Sequence, residues 1–66
     1  MFKAIRDAIN ERRFNKGQAW AIDQISFKKR NILDVVAEAV KNGRHPEYVR
    51  GVREVAEMIN KARREG

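Results

Sequence analysis

The chain has 66 residues, of which 36% are charged, and its 15 basic and 9 acidic residues give a formal net charge of +6. A domain of this length buries only about 60% of the surface that its unfolded chain exposes. Cysteine is absent and His45 is the sole histidine, so neither a disulfide framework nor a zinc site can reinforce the fold. We therefore expect no metal and no cofactor. We expect self-association or docking on a larger partner to supply the missing stability.

The first segment, residues 2–14, is predicted to be a short helix. Its apolar residues Phe2, Ile5 and Ile9 recur at spacings of three and four, which indicates a single narrow apolar stripe. The run Asn15-Lys16-Gly17 follows, and glycine just after a periodic segment is a common helix stop. We therefore predict a break between this helix and the next segment.

The second segment, residues 18–42, has two apolar faces. One face, predicted to form the core, carries Ile22, Ile25, Ile32, Leu33, Val36 and Val40. Trp20 and Phe27 lie on the nearly opposite face. A continuous helix is the preferred interpretation, and the alternative is a break near residues 26–31, with Asn31 capping a shorter helix. In the first case the hairpin core cannot bury both sets, so either the first segment folds over the two aromatic residues or another chain does.

The third segment, residues 46–64, is predicted to be a helix after a polar turn, Asn42 to Pro46. Proline suits the first helical turn, and His45 is expected to belong to the turn or to cap the helix. A broad apolar stripe is formed by Tyr48, Val49, Val52, Val55, Ala56 and Ile59. Gly51 interrupts it, and a glycine there allows a close helix crossing or is simply tolerated. The sequence thus predicts an all-α fold: a short N-terminal helix plus an antiparallel helical hairpin, as one domain over residues 1–66.

No set of side chains with catalytic chemistry is apparent. Ser26 is the only serine and threonine is absent, whereas nucleophilic catalysis needs a nucleophile, a base and an orienting group. We expect a protein that is not an enzyme and has no small-molecule substrate. The first ten residues carry three charges and no apolar run approaches the roughly 18 residues of a membrane helix. We therefore expect neither a signal peptide nor a transmembrane segment, and no membrane partner.

Two groups of side chains are candidates for binding. Aromatic residues are enriched at protein interfaces, and the candidate protein interface consists of Trp20, Phe27, Tyr48, Phe2, Ile5 and Ile9. Basic residues contact phosphates without reading sequence, and the candidate nucleic-acid contacts are Arg12, Arg13, Lys16, Lys28, Arg30 and Arg64. The alternative interpretations, in which neither group binds a partner, are that the aromatic residues complete a thin core and that the basic residues keep the protein soluble.

A tryptophan that opens a long helix, a polar turn, and a helix beginning Pro46-Glu47-Tyr48-Val49-Arg50-Gly51 follow one another between Trp20 and Arg63. This pattern, over about two thirds of the chain, resembles small helical proteins encoded in tailed-bacteriophage genomes, often near packaging and head genes. The resemblance implies a phage accessory protein, found in the virion or in the bacterial host cytoplasm.

Three functional hypotheses follow. The first is a non-enzymatic accessory or virion-associated structural protein that acts through protein–protein contact, as an oligomer or in many copies on a larger assembly. The alternative is a small basic nucleic-acid-binding protein. The third is an inhibitor or modulator of a host enzyme.

Overall fold

The structure, a computed structural model, describes the backbone of residues 2–65 and the side chains of residues 3–65. Helix α1 spans Phe2–Ile22 and continues into one π-helical segment, Asp23–Phe27; α2 spans Ile32–Lys41 and α3 spans Pro46–Glu65. No strand occurs between residues 2 and 65. The predicted all-α fold with three helices is confirmed, and the division of the chain among the helices differs from the prediction.

Helix α1 does not end near residue 14, and the predicted break at residues 15–17 is wrong. The helix runs through Gly17 because this glycine serves a helix contact instead of a helix end. A Cβ atom at Gly17 would lie 2.1 Å from the carbonyl oxygen of Tyr48 in α3. The absent side chain therefore lets the two backbones approach, and this tertiary packing outweighs the local stop signal.

The continuous helix over residues 18–42 is also wrong, and the alternative with a break is confirmed. The backbone N–H of Lys28 donates to the carbonyl of Asp23, and that of Arg30 donates to the carbonyl of Gln24. Between them Lys29 has a φ of 57°, the left-handed conformation that commonly terminates a helix. The side-chain oxygen of Asn31 then accepts a 2.8 Å hydrogen bond from the N–H of Leu33 and caps α2.

The turn between α2 and α3 is formed as predicted. Gly43 has a φ of 67°, which glycine adopts without the steric cost of a Cβ atom. The N–H of Glu47 donates to Nδ1 of His45 at 3.1 Å, and the N–H of Val49 donates to the carbonyl of His45. His45 therefore caps α3, as one of the two sequence interpretations held.

A close crossing of α1 and α3 organises the molecule. A Cβ atom at Gly51 would lie 2.2 Å from the carbonyl oxygen of Phe14, so a glycine from each helix allows the contact. Of the two interpretations of Gly51, the close crossing is the one confirmed. Further along, Lys29 and Ile32 line a depression with Arg63 near the end of α3. Helix α1 and the π-helical segment that continues it therefore run in the same direction as α3, and α2 runs antiparallel to both.

The core lies where the π segment, α2 and the middle of α3 meet. Its buried apolar side chains are Ala21, Ile25, Ile32, Val35, Ala39, Val52, Val55 and Ala56. Three residues predicted for the core are exposed instead: Ile22, and Leu33 and Val40, which are 76% and 52% exposed. The break rotates α2 relative to a continuous helix, so α2 buries the line through Ile32, Val35 and Ala39.

Candidate functional site

The side of α1 that points away from α3 is apolar and uncovered. Phe14, Gly17 and Ala21 mark the side of α1 toward α3. From the helical spacing, Ile5 projects roughly opposite to that side and Ile9 lies about 110° from its middle; the two side chains are 59% and 43% exposed. The side chain of Phe2, predicted for the same stripe, lies outside the described side chains.

Three cations accompany the two isoleucines. At 100° per residue, Arg12 and Lys16 fall between or beside Ile5 and Ile9, and Arg13 falls at one edge of the same side; all three are exposed. We call these five residues, Ile5, Ile9 and the three cations, the outer face of α1. The carboxylates of the segment, Asp7 and Glu11, lie on the other side, in a shallow depression that Glu47 and Arg50 of α3 also line. The outer face therefore combines apolar contact with positive charge alone.

Trp20 packs against Tyr48. Their ring centroids are 6.0 Å apart with the planes tilted by 45°, and both side chains are half-buried. The guanidinium of Arg44 lies 4.9 Å from the centre of the Tyr48 ring. Burial raises the pKa of Tyr48, and the nearby charge of Arg44 partly opposes this. These two aromatic residues pack α1 against α3. A structural role was one of the two interpretations of these residues from the sequence.

Of the two alternatives for Trp20 and Phe27, cover by the first segment is wrong. Residues 5, 9 and 20 belong to one continuous helix, so Ile5 and Ile9 cannot fold back over Trp20. Phe27 ends the π segment and is 78% exposed, unlike Trp20. The predicted interface group therefore divides into Trp20 and Tyr48 at the helix contact, Ile5 and Ile9 on the outer face, and Phe27 alone.

The candidate nucleic-acid contacts do not form one surface. Arg30 points inward: its guanidinium donates to the side-chain oxygen of Gln24 at 2.8 Å and forms an ion pair with Glu38. Lys28 lies 4.0 Å from the carboxylate of Asp23. Arg64 lies near the end of α3, beside Glu57, Lys61 and Glu65. Arg12, Arg13 and Lys16 remain as the one cluster of the group that shares a helix side.

The contacts of Arg30 have a structural purpose. Gln24 is the buried polar side chain beneath the break, and burying an amide without hydrogen bonds is costly. Its oxygen accepts from Arg30, and its nitrogen donates to Asp23 at 3.3 Å. Arg30 also joins the π segment to α2 through Glu38. We therefore assign Arg30 a role in stabilising the fold.

A second apolar surface, on α2, was missed from the sequence. Leu33, Ala37 and Val40 are exposed and Val36 is half-buried, and their spacing puts all four on one side of the helix. We call these four residues the α2 stripe. The sequence pattern places Leu33 and Val40 in the core because, on a continuous helix over residues 18–42, they share a side with Ile22 and Ile25. The sequence signal for the stripe is the spacing of three and four residues between Ile32, Val35 and Ala39. It defines a separate apolar side of α2, which can form the core and leave Leu33 and Val40 exposed.

Across residues 2–65, no three histidine, cysteine, aspartate or glutamate side chains lie close enough together to hold a metal ion. None of the helices described is long and apolar enough to cross a lipid bilayer. The chain matches no protein-family model, no curated protein and no solved structure. Its function is therefore inferred from the outer face of α1 and the α2 stripe.

Proposed function

We propose that the chain is a non-enzymatic accessory or virion-associated protein of the phage type, which acts through protein–protein contact in several copies on a larger assembly. The observation that carries this proposal is the outer face of α1. Ile5 and Ile9 are exposed on a formed helix, among three cations and no carboxylate. An exposed apolar stripe with charges of one sign is typical of a helix that docks in a groove.

The outer face is suited to binding because its helix is already formed. Contact with α3 at Gly17 and Tyr48 fixes the C-terminal half of α1, and the helix extends without interruption to Phe2. A partner therefore has less conformational entropy to remove than it would with an unfolded segment. Burial of an isoleucine side chain is worth about 1.5–3 kcal/mol when complete, so Ile5 and Ile9 can act as anchors.

The charge of the outer face defines the partner. A second copy of this face would bring arginines against arginines, and like charges across an interface are unfavourable. A protein groove with an apolar floor and acidic rims complements both the isoleucines and the cations. We therefore propose an acidic protein partner, in a virion or in the bacterial host cytoplasm. An inhibitor or modulator of a host enzyme would use the same surface in the same way.

Nucleic-acid binding is the second candidate function. It is favoured by the cluster of Arg12, Arg13 and Lys16, which are exposed on one side of α1. Phosphate contacts would need these cations but would leave Ile5 and Ile9 without a role. Binding of this kind weakens steeply with added salt, in proportion to the number of phosphates contacted.

The two candidate functions are separated by charge-reversal and apolar variants. An affinity-tagged chain is incubated with nuclease-treated bacterial lysate, in parallel with Ile9→Asp and with the control Met58→Asp. Met58 is 64% exposed and lies on α3, so it matches Ile9 in character but is absent from the outer face. We expect the wild type and the control to retain the same acidic protein and Ile9→Asp to lose it. Retention by Ile9→Asp would contradict the proposal.

Nucleic-acid binding is measured separately, by titrating duplex DNA and single-stranded RNA at increasing salt. If affinity falls with salt, is lost in Arg12→Glu and is unchanged in Ile9→Asp, the second candidate function replaces the first. If no binding occurs at about 50 mM salt, nucleic acid is excluded as the partner.

A further inference from the structure

The α2 stripe is a separate apolar surface with its own edge charges. Leu33, Ala37 and Val40 face away from the core residues Val35 and Ala39. Asp34 and Lys41 fall on one edge of the stripe, about 20° apart around the helix. Within the described side chains neither of them takes part in an ion pair. Unlike the outer face of α1, this surface therefore has a carboxylate beside a cation along one edge.

We propose that a second copy of the chain covers the α2 stripe, with the two α2 helices packed antiparallel about a twofold axis. Leu33 of each copy then lies opposite Val40 of the other, while Val36 approaches Val36 on one edge of the stripe and Ala37 approaches Ala37 on the other. The proposal rests on the proposed function, which needs several copies, and deepens it by naming the surface at which copies join. The contact is isologous, the commonest arrangement in homodimers.

Charge complementarity is the reason for choosing a second copy and this orientation. When two helices pack antiparallel, residues on corresponding edges meet across the interface. Asp34 of one copy then approaches Lys41 of the other, and the twofold axis repeats the pair. A parallel arrangement would bring opposite edges together and leave both charges without these partners. The edge charges Asp34 and Lys41 therefore pair between two copies when the α2 helices are antiparallel and not when they are parallel.

The size of the surface limits the affinity. Helix α2 has 10 residues and is about 15 Å long, so the contact is smaller than a standard interface. Positive residues also lie at both ends: Lys29 lines a depression with Leu33, and Arg44 and Arg53 line one with Val40. The antiparallel arrangement brings the positive residues at the two ends toward each other, and their repulsion weakens the contact. We expect a dissociation constant between about 100 µM and about 1 mM, which suits assembly at high local concentration.

Sedimentation equilibrium of the full chain, from about 10 µM to about 1 mM, tests the proposal. We expect a monomer–dimer equilibrium that Leu33→Asp weakens at least about thirty-fold, because a carboxylate would replace one of the two large exposed apolar side chains of the stripe. Leu33 is exposed and in the first turn of α2, where a carboxylate is favourable, so this variant keeps its fold, as circular dichroism will verify. Met58→Asp is the matched control and should leave the equilibrium unchanged.

A charge exchange tests the orientation with a readout that does not depend on the apolar contact. Asp34→Lys should weaken the dimer about ten-fold, and adding Lys41→Asp in the same chain should restore it. A monomer at all concentrations, a dimer insensitive to Leu33→Asp, or equal loss in the control would overturn the proposal. A dimer lost in Leu33→Asp but not rescued by the exchange would overturn the antiparallel arrangement. None of these results depends on capture of the acidic partner, which tests the proposed function separately.

Discussion

Replacing Gly51 by alanine should force α1 and α3 apart. A Cβ atom at this position would lie 2.2 Å from the carbonyl oxygen of Phe14 and 3.0 Å from the backbone nitrogen of Gln18. Both neighbours are backbone atoms of α1, so no side chain can rotate to make room. The helices would have to separate by about 1 Å to reach an ordinary carbon–oxygen contact.

The magnitude follows from two opposing effects. Alanine is favoured over glycine inside a helix by about 1 kcal/mol. Overpacking a close contact costs about 1–3 kcal/mol and more where backbone must move. Separation would also loosen the packing of Trp20 on Tyr48, which lies at the same crossing. We expect a net loss of about 2 kcal/mol in the free energy of unfolding, a large share for a domain of this size.

Urea unfolding followed by circular dichroism measures this loss. Gly43→Ala is the control, because a Cβ atom there has no neighbour within 4 Å and only the left-handed φ opposes it. That control should cost about 1 kcal/mol. Helix propensity alone predicts that Gly51→Ala is stabilising. An increase in its unfolding midpoint would therefore refute the close crossing of α1 and α3.

Three further substitutions test other parts of the fold by the same unfolding measurement. Lys29→Gly should raise stability by about 1 kcal/mol, because glycine adopts the left-handed conformation of this residue without strain; a loss would contradict the turn. Asn31→Ala should cost about 1 kcal/mol by removing the cap of α2, and an unchanged midpoint would argue for a continuous helix. Trp20→Ala should cost about 2 kcal/mol, less than a fully buried tryptophan, since its ring is half-buried against Tyr48; no loss would contradict that contact.

Local chemistry sufficed to predict α3 and the turn before it. Pro46 and His45 mark the start of the helix, and Gly43 adopts the positive φ that the turn requires. The apolar stripe of α3 is continuous, so its buried side followed from the spacing of Val52, Val55 and Ala56. These features depend on residues that are neighbours in sequence.

The end of α1 could not be predicted in the same way, and the break before α2, which the capping residue Asn31 indicated, was the less favoured of two interpretations. Gly17 has the sequence neighbours of a helix stop, and only its contact with Tyr48, 31 positions later, explains why the helix continues. The break depends on Lys29, a residue type that gives no signal of a left-handed conformation. Because the break sets the rotation of α2, an error there moved Leu33 and Val40 from the surface to the core. The candidate surfaces therefore became visible only with the fold.

Site-specific photocrosslinking from position 9 tests the central proposal most directly. A photoreactive amino acid replaces Ile9 in one variant and Met58 in another, and crosslinked peptides are identified by mass spectrometry after irradiation in bacterial lysate. We expect position 9, and not position 58, to crosslink to one protein at an apolar site flanked by aspartate and glutamate. Crosslinks to nucleic acid, to a second copy of the chain, or to the same proteins from both positions would contradict the assignment of the outer face of α1 as the surface that binds an acidic protein partner.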